Sequence, residues 1–254
     1  MISQSGQIVL GGLDSPNMGF SHVISSGNSC NVKVEDYLDF LVDDEDTKVV
    51  AAYMEGVTKP EKLVAAFQKA ALKKKPVVVL KTGRSAKSQE LAKSHTGSLS
   101  GADKVLRAVF KRYGVVEAGD LEELMSLAAA FSWLEELPKG ERCVFMNVSG
   151  GEAGVMADLS EEYGIQLAEM QQETKAYLKT LVPDYGSVNN PFDMTAGICY
   201  NTPVMVQAME AISKDPGVDA IMVAYTITPE IWDDTITHMV EAVSIARRDK
   251  ALKP

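Results

Sequence analysis

The chain has 254 residues, 46% hydrophobic and 24% charged, enough for one large core or two of roughly 100–150 residues each, and unlike a disordered or low-complexity tail. Its 35 acidic against 25 basic residues leave a formal net charge of −10, which argues against a nucleic-acid partner. Three distant cysteines (Cys30, Cys143, Cys199) argue against a disulfide framework or zinc knuckle. With no signal-peptide pattern and no apolar run near the roughly 20 residues of a membrane span, a cytoplasmic protein without a membrane partner is expected.

In chain order, the first signal is the Gly-containing turn Ser3-Gln4-Ser5-Gly6, ahead of a short segment at 7–13. Residues 48–53 (KVVAAY) and 76–80 (PVVVL) are nearly continuous apolar runs between turn signals, and predict buried parallel strands. Between them, the spacing of Leu63, Ala66, Phe67 and Ala70 predicts a helix over 60–72, with Pro60 suited to its first position. A second helix is expected over 102–113, with Val105, Leu106, Val109 and Phe110 as its apolar face and Gly114 as its stop. A third covers 120–134. The polar stretch 135–141 (EELPKGE) reads as a linker. The pattern then restarts: strand 142–147, helix 152–163, short strand 165–167, helix 171–181, strand 218–224 and helix 230–246. Such alternation predicts right-handed βαβ units and open, mostly parallel sheets. The fold class expected is α/β, with two tandem flavodoxin-like domains at 1–136 and 142–254. Both ends read as cut, since only two residues precede the first turn and no strand follows the last helix.

Loops at the carboxyl ends of strands in such sheets collect ligands. Ser94-His95-Thr96-Gly97 lies in a small, polar stretch of this kind. A neutral imidazole is a nucleophile near pH 7 and can carry a phosphoryl group; equally, His95 can simply bond its own loop. Two Gly-containing turns, at Ser5-Gly6 and at Ser149-Gly150-Gly151, would let backbone N–H groups approach an anion at a helix N-terminus, or would serve close packing alone. Glu55 ends the first long strand, where a carboxylate can fix an imidazole tautomer or merely face solvent. The loop 190–195 (NPFDMT) either presents Asn190 and Asp193 to a ligand or only turns the chain. His22 and His238 read as structural, and no metal ligand set is evident.

Taken together these motifs resemble the NDP-forming acyl-CoA synthetases, which include the ADP-forming acetate–CoA ligases and share a superfamily with succinyl-CoA synthetase. Ser3-Gln4-Ser5-Gly6 resembles the family's S-Q-S-G. Gly19-Phe20-Ser21 with Ser26-Gly27-Asn28 resembles G-F-S…G-N, and Tyr53-Met54-Glu55-Gly56 resembles Y-x-E-G. Lys81-Thr82-Gly83-Arg84-Ser85 and Ser94-His95-Thr96-Gly97 resemble K-x-G-R-S and S-H-T-G. In the second half, Ser149-Gly150-Gly151 resembles S-G-G, and Asn190-Pro191-Phe192-Asp193-Met194-Thr195 resembles N-P-x-D-x-T.

The resemblance implies interconversion of acyl-CoA, ADP and phosphate with free acid, CoA and ATP, through an acyl phosphate and a phosphohistidine. His95 would be that histidine, Glu55 would orient it, and the amides around Ser5-Gly6 and Ser149-Gly150-Gly151 would hold the phosphoryl group. It also implies CoA, ADP or ATP, and magnesium in the full enzyme, none bound by this chain alone. The CoA-binding and ATP-grasp domains would be supplied as partners, a small carboxylic acid or acyl phosphate would be the substrate, and the assembly would be oligomeric. The family's relatives fused to protein acetyltransferases imply an alternative, a sensing module without catalysis. A flavin or receiver-type domain is disfavoured, since neither an acidic phospho-acceptor cluster nor an FMN-type phosphate loop is present.

Overall fold

The computed structural model of the chain describes residues 1–15, 18–85, 87–88, 103–134, 136–226, 234–250 and 252. It divides into two compact units, Met1–Glu135 and Glu136–Pro254.

The first unit is a five-stranded sheet of β1 (Ile2–Ser3), β2 (Ile24–Ser25), β3 (Val50–Met54), β4 (Val77–Lys81) and β5 (Val116–Ala118), in the order β2-β1-β3-β4-β5. Every pairing is parallel. This is the flavodoxin-like order, with the chain reversing direction across the sheet beside β1. Alternation along β3 and β4 sorts side chains to two faces. Val50, Ala52 and Met54 with Val77 and Val79 pack under α2 (Val34–Asp43), α3 (Pro60–Leu72) and α4 (Asp103–Tyr113). Ala51, Tyr53, Val78 and Leu80 pack under α5 (Leu121–Trp133), with Ile8 of α1 (Gly6–Leu13) beside them. Both faces are therefore covered, which is why both long strands are apolar at nearly every position.

The helix starts have identifiable causes. The buried Glu35 of α2 accepts the N–H groups of Thr58 and Lys59 at 2.8 and 3.0 Å, just ahead of Pro60. Asp120 accepts the Glu123 N–H at 2.8 Å and opens α5. The apolar face expected of α3 is buried in full, whereas that of α4 is corrected at one position: Val105 is 65% exposed and only Phe110 is fully buried.

The second unit has β6 (Arg142–Asn147) at its centre, paired in parallel with β7 (Gln166–Leu167), β8 (Phe192–Asp193) and β9 (Ala220–Val223). The β6 carbonyls of Cys143 and Asn147 accept from Ala168 and Met194, while those of Arg142 and Met146 accept from Asp219 and Ala224. Alternate residues of a strand bond to opposite sides, so β7 and β8 follow one another along one edge and β9 takes the other. One side of the sheet buries Val144 and Met146 with residues of α7 (Gln172–Leu181), α8 (Thr202–Lys214) and α9 (Thr235–Lys250). The helix α6 (Gly150–Tyr163) lies against β6 and β8 and ends at Gly164, whose φ of +67° suits a residue without Cβ.

The helix expected at 230–246 is observed from Thr235, and its first four positions lie outside the described residues. His22 packs edge-on against Phe40, and His238 Nδ1 lies 3.2 Å from Thr202 Oγ1. No helix among the described residues is long and apolar enough to cross a membrane.

The gap between β7 and β8 is closed by a side chain. Asn190 Oδ1 accepts the Phe145 N–H at 3.0 Å, and its Nδ2 donates to the carbonyls of Cys143 and Ala168 at 2.7 and 3.0 Å. Asn190 thus stands in for a missing stretch of strand. Asn190→Ala removes the partner of the Phe145 N–H and of the Ala168 carbonyl, while the Cys143 carbonyl keeps the Ala168 N–H, and is expected to destabilise the second unit by roughly 2–3 kcal/mol in urea unfolding. An unchanged midpoint would show that water replaces the amide at no cost.

Candidate functional site

In the first unit the parallel strands deliver four of the sequence motifs to one edge of the sheet. The turn after β1 carries Gln4 and Ser5 into α1. Ser5 takes the N-cap position without a side-chain cap, so N–H groups of the first turn are left for another acceptor. Its own backbone is held by the buried Ser3 hydroxyl, which accepts from Ser5 N at 3.0 Å and donates to Ser5 O at 2.7 Å. A Cβ built on Gly6 meets only Ser25 Oγ, at 3.9 Å, among the described residues, so the approach to this terminus is open. The turn after β2 lies alongside: Ser26 donates from both N and Oγ to Ser3 O, at 2.8 and 3.2 Å.

Glu55 follows β3 directly and is half-buried. Its N–H and that of Gly56 both donate to Gln4 Oε1, at 2.6 and 3.2 Å, so the side chain of the first turn holds the loop that carries the carboxylate. Tyr53 OH donates to Glu55 Oε1 at 3.3 Å and lies 3.3 Å from Thr82 Oγ1. Burial, above all, pushes the Tyr53 phenol up from its ordinary value. Lys81, at the end of β4, donates to Glu55 O at 2.8 Å and also to Thr82 O. Burial lowers its ammonium below the usual lysine range. Gly83 has φ +82°, in the region that disfavours side chains. Arg84 is committed to the sheet edge, donating to Lys81 O and Ala118 O at 2.8 and 2.7 Å and standing 3.1 Å from Glu117. His95, with Ser94, Thr96 and Gly97, lies outside the described residues.

The second unit carries its turn at Ser149-Gly150-Gly151 between β6 and α6, again with an N-cap serine that makes no side-chain cap. Here the surroundings differ. Asp193 is the register partner of Asn147, and its Oδ2 lies 3.3 Å from a Cβ built on Gly150. Its Oδ1 accepts the N–H of Thr195, a residue held at φ +68°. A carboxylate therefore already stands at the positive end of α6. The wholly buried Asn147 accepts the Ser149 N–H at 3.3 Å, but among the described residues its Nδ2 has no partner, and neither has Thr195 Oγ1. Asn190, expected in a ligand loop, spends its amide on the β6 main chain. Asn147, Thr195 and Gln4 were given no role by sequence spacing; their roles follow from register and from the turn of the loop. Among the described residues no cluster of three His, Cys, Asp or Glu could hold a metal ion.

Comparison with known proteins agrees with the fold. The model of the succinyl-CoA ligase like flavodoxin domain family matches residues 1–131. The alpha subunit of acetate–CoA ligase [ADP-forming] II from Pyrococcus furiosus is 34% identical over 245 residues, covering 95% of this chain and 52% of that subunit. Acetate–CoA ligase [ADP-forming] from Methanocaldococcus jannaschii is 38% identical over 197 residues, 76% of this chain and 28% of that protein. Among solved structures, dinucleotide forming acetyl-coenzyme A synthetase 1 of Ca. Korarchaeum cryptofilum, in complex with phosphate and ADP, superposes with TM-score 0.83 at 30% identity. That match covers all of this chain and 54% of the other. The chain spans about half the length, or less, of the relatives it matches.

The buried Lys81 makes a pH-dependent contribution to stability whose sign is fixed. Its folded pKa is lowered, so above that value the unfolded chain binds the proton that the folded chain has released. Stability must then rise with pH from the folded value up to the ordinary lysine value of 10.5. The unmutated chain is expected to gain on Lys81→Met in urea unfolding as pH is raised through this window. A difference that stays flat or falls would contradict the burial of the ammonium.

Proposed function

We propose the following from one premise: this chain belongs to the succinyl-CoA ligase like flavodoxin domain family. It is the phosphoryl-relay core of an ADP-forming acyl-CoA synthetase, interconverting acyl-CoA, ADP and phosphate with free acid, CoA and ATP. His95 carries the phosphoryl group. One ring nitrogen forms the P–N bond as the bond from phosphorus to the acyl oxygen breaks, and the free acid leaves as its carboxylate. The terminal oxygen of ADP then takes the phosphoryl group and restores the neutral imidazole. Glu55 accepts from the other ring nitrogen, which fixes the tautomer and offsets the charge that grows on the ring. The open N-terminus of α1 at Ser5-Gly6 meets the phosphoryl oxygens with unpaired N–H groups and a positive dipole end. Ser149-Gly150-Gly151 is the corresponding turn of the second unit, with Asp193 beside it to select the charge state of what binds.

The observation that carries this reading is the bond from Gln4 to the Glu55 loop. It joins the phosphate-binding turn and the orienting carboxylate at one edge of one sheet. Phosphoryl transfer asks for this kind of positioning more than for further covalent chemistry. The reading assigns CoA, nucleotide and magnesium to domains or a subunit beyond this chain, in an oligomeric assembly. The ADP-forming names of the relatives and the roughly half-length overlap with them support that division.

Incubation with acetyl phosphate should attach one phosphoryl group per chain, labile in acid and stable in alkali, seen by mass spectrometry. His95→Ala should abolish the adduct, and Glu55→Gln should slow its formation about 100-fold. No adduct, even with the complementing domains supplied, would replace the relay with a sensing module that lacks catalysis.

A further inference from the structure

A carboxylate that orients an imidazole is useful only if its backbone is held, and the Glu55 peptide is held from both sides. Its N–H donates to Gln4 Oε1 at 2.6 Å, and its carbonyl accepts from Lys81 Nζ at 2.8 Å. Gln4 follows β1 and Lys81 closes β4, the two strands that flank β3. The ladder runs up to this point: Gln4 N donates to Tyr53 O at 3.3 Å and Thr82 N to Met54 O at 3.0 Å. Beyond it, main-chain pairing stops and the two side chains take over, one as acceptor and one as donor.

The choice of groups goes beyond closing a turn. Burying an ammonium is unfavourable, and Lys81 offsets this in part by filling donors with the carbonyls of Glu55 and Thr82, alongside the charges of Asp103, Glu55 and Glu117. An apolar residue would complete β4 at lower cost. Gly83 lies against this ammonium, since an added Cβ would stand in van der Waals contact with Lys81 Nζ at 3.4 Å. Gln4 in turn gathers two successive N–H groups, those of Glu55 and Gly56, on a single oxygen. Tyr53 OH holds one carboxylate oxygen.

We propose that Gln4 and Lys81 are positioning residues that clamp the Glu55 peptide from its two neighbouring strands and so set the direction of its carboxylate. The functional half of this proposal rests on the phosphohistidine reading above. The clamp itself does not, and it has a readout of its own.

The test combines amide hydrogen exchange with phosphorylation by acetyl phosphate, in the full chain. In Gln4→Met, exchange of the Glu55 and Gly56 amides should accelerate at least tenfold while the amides of Val50–Met54 stay protected. Gln4→Met and Lys81→Met should each slow phosphorylation at least tenfold at an unchanged half-saturating acetyl phosphate concentration. In a Glu55→Gln background the same changes should cost less than twofold, because they act through that carboxylate. Gln4→Glu, which keeps an acceptor oxygen, should retain slow exchange of both amides. Unchanged exchange in Gln4→Met, or losses that multiply in full on Glu55→Gln, would overturn the clamp. So would a Gln4→Glu variant that folds yet exchanges these amides as fast as Gln4→Met. A parent chain that takes up no phosphoryl group would instead overturn the His95 reading and the functional half with it, leaving exchange to decide the clamp alone.

Discussion

All five strands of the first sheet point the same way, and that constraint organises everything proposed about the site. A parallel sheet sends every strand's carboxyl end to one edge. The turn after β1, the Glu55 loop after β3 and the Lys81-Thr82-Gly83-Arg84 segment after β4 are separated by dozens of residues, yet they emerge as neighbours. The crossing from β1 outward to β2 and back past it to β3 leaves the end of β1 beside both partners. Gln4 and Ser5 can therefore reach both the helix terminus and the carboxylate loop. Slipping β3 by one residue would send Glu55 to the other face and dismantle the arrangement.

The two units use one turn architecture with different electrostatics. In the first, Ser5 and Gly6 open a helix where a Cβ built on Gly6 would meet only Ser25 Oγ, at 3.9 Å, among the described residues. In the second, the helix opening at Gly150 has Asp193 beside it, and two buried polar atoms, Asn147 Nδ2 and Thr195 Oγ1, lack partners among the described residues. A dianionic phosphoryl group is better matched to the first terminus than to the second, where the positive dipole end already faces a carboxylate.

Much of the fold was legible because its signals are strong and local. Val50–Tyr53 and Val77–Leu80 are buried on both faces, so they read as continuous apolar runs, and the helix at 60–72 buries the four residues its spacing singles out. Most of the shortest strands left no trace: β1, β2 and β8 have two residues each, too few for any period, whereas β7 falls within the short strand expected at 165–167. The amphipathic helices α2 and α8 do carry signals in the sequence. Leu38, Leu41 and Val42 recur along one, and the other follows an Asn201 cap with Pro203. Asn190 illustrates a harder limit. Its place in a polar, Pro-containing loop suggests a ligand, but its amide completes a strand edge, which only the pairing of β6 reveals. Gln4 was visible as a motif letter, whereas its role needs Glu55 delivered beside it from 51 positions away.

The central claim is that the carboxyl edge of the first sheet is a phosphate site built on the start of α1 and the Glu55 loop. The most direct measurement is a titration of the isotopically labelled chain with inorganic phosphate, followed by amide nuclear magnetic resonance. Saturable shifts concentrated at Ser5, Gly6, Gln7 and Gly56, with the amino ends of β3 and β4 unmoved, are the result predicted. Shifts that are absent, do not saturate, or scatter over the surface would contradict the claim.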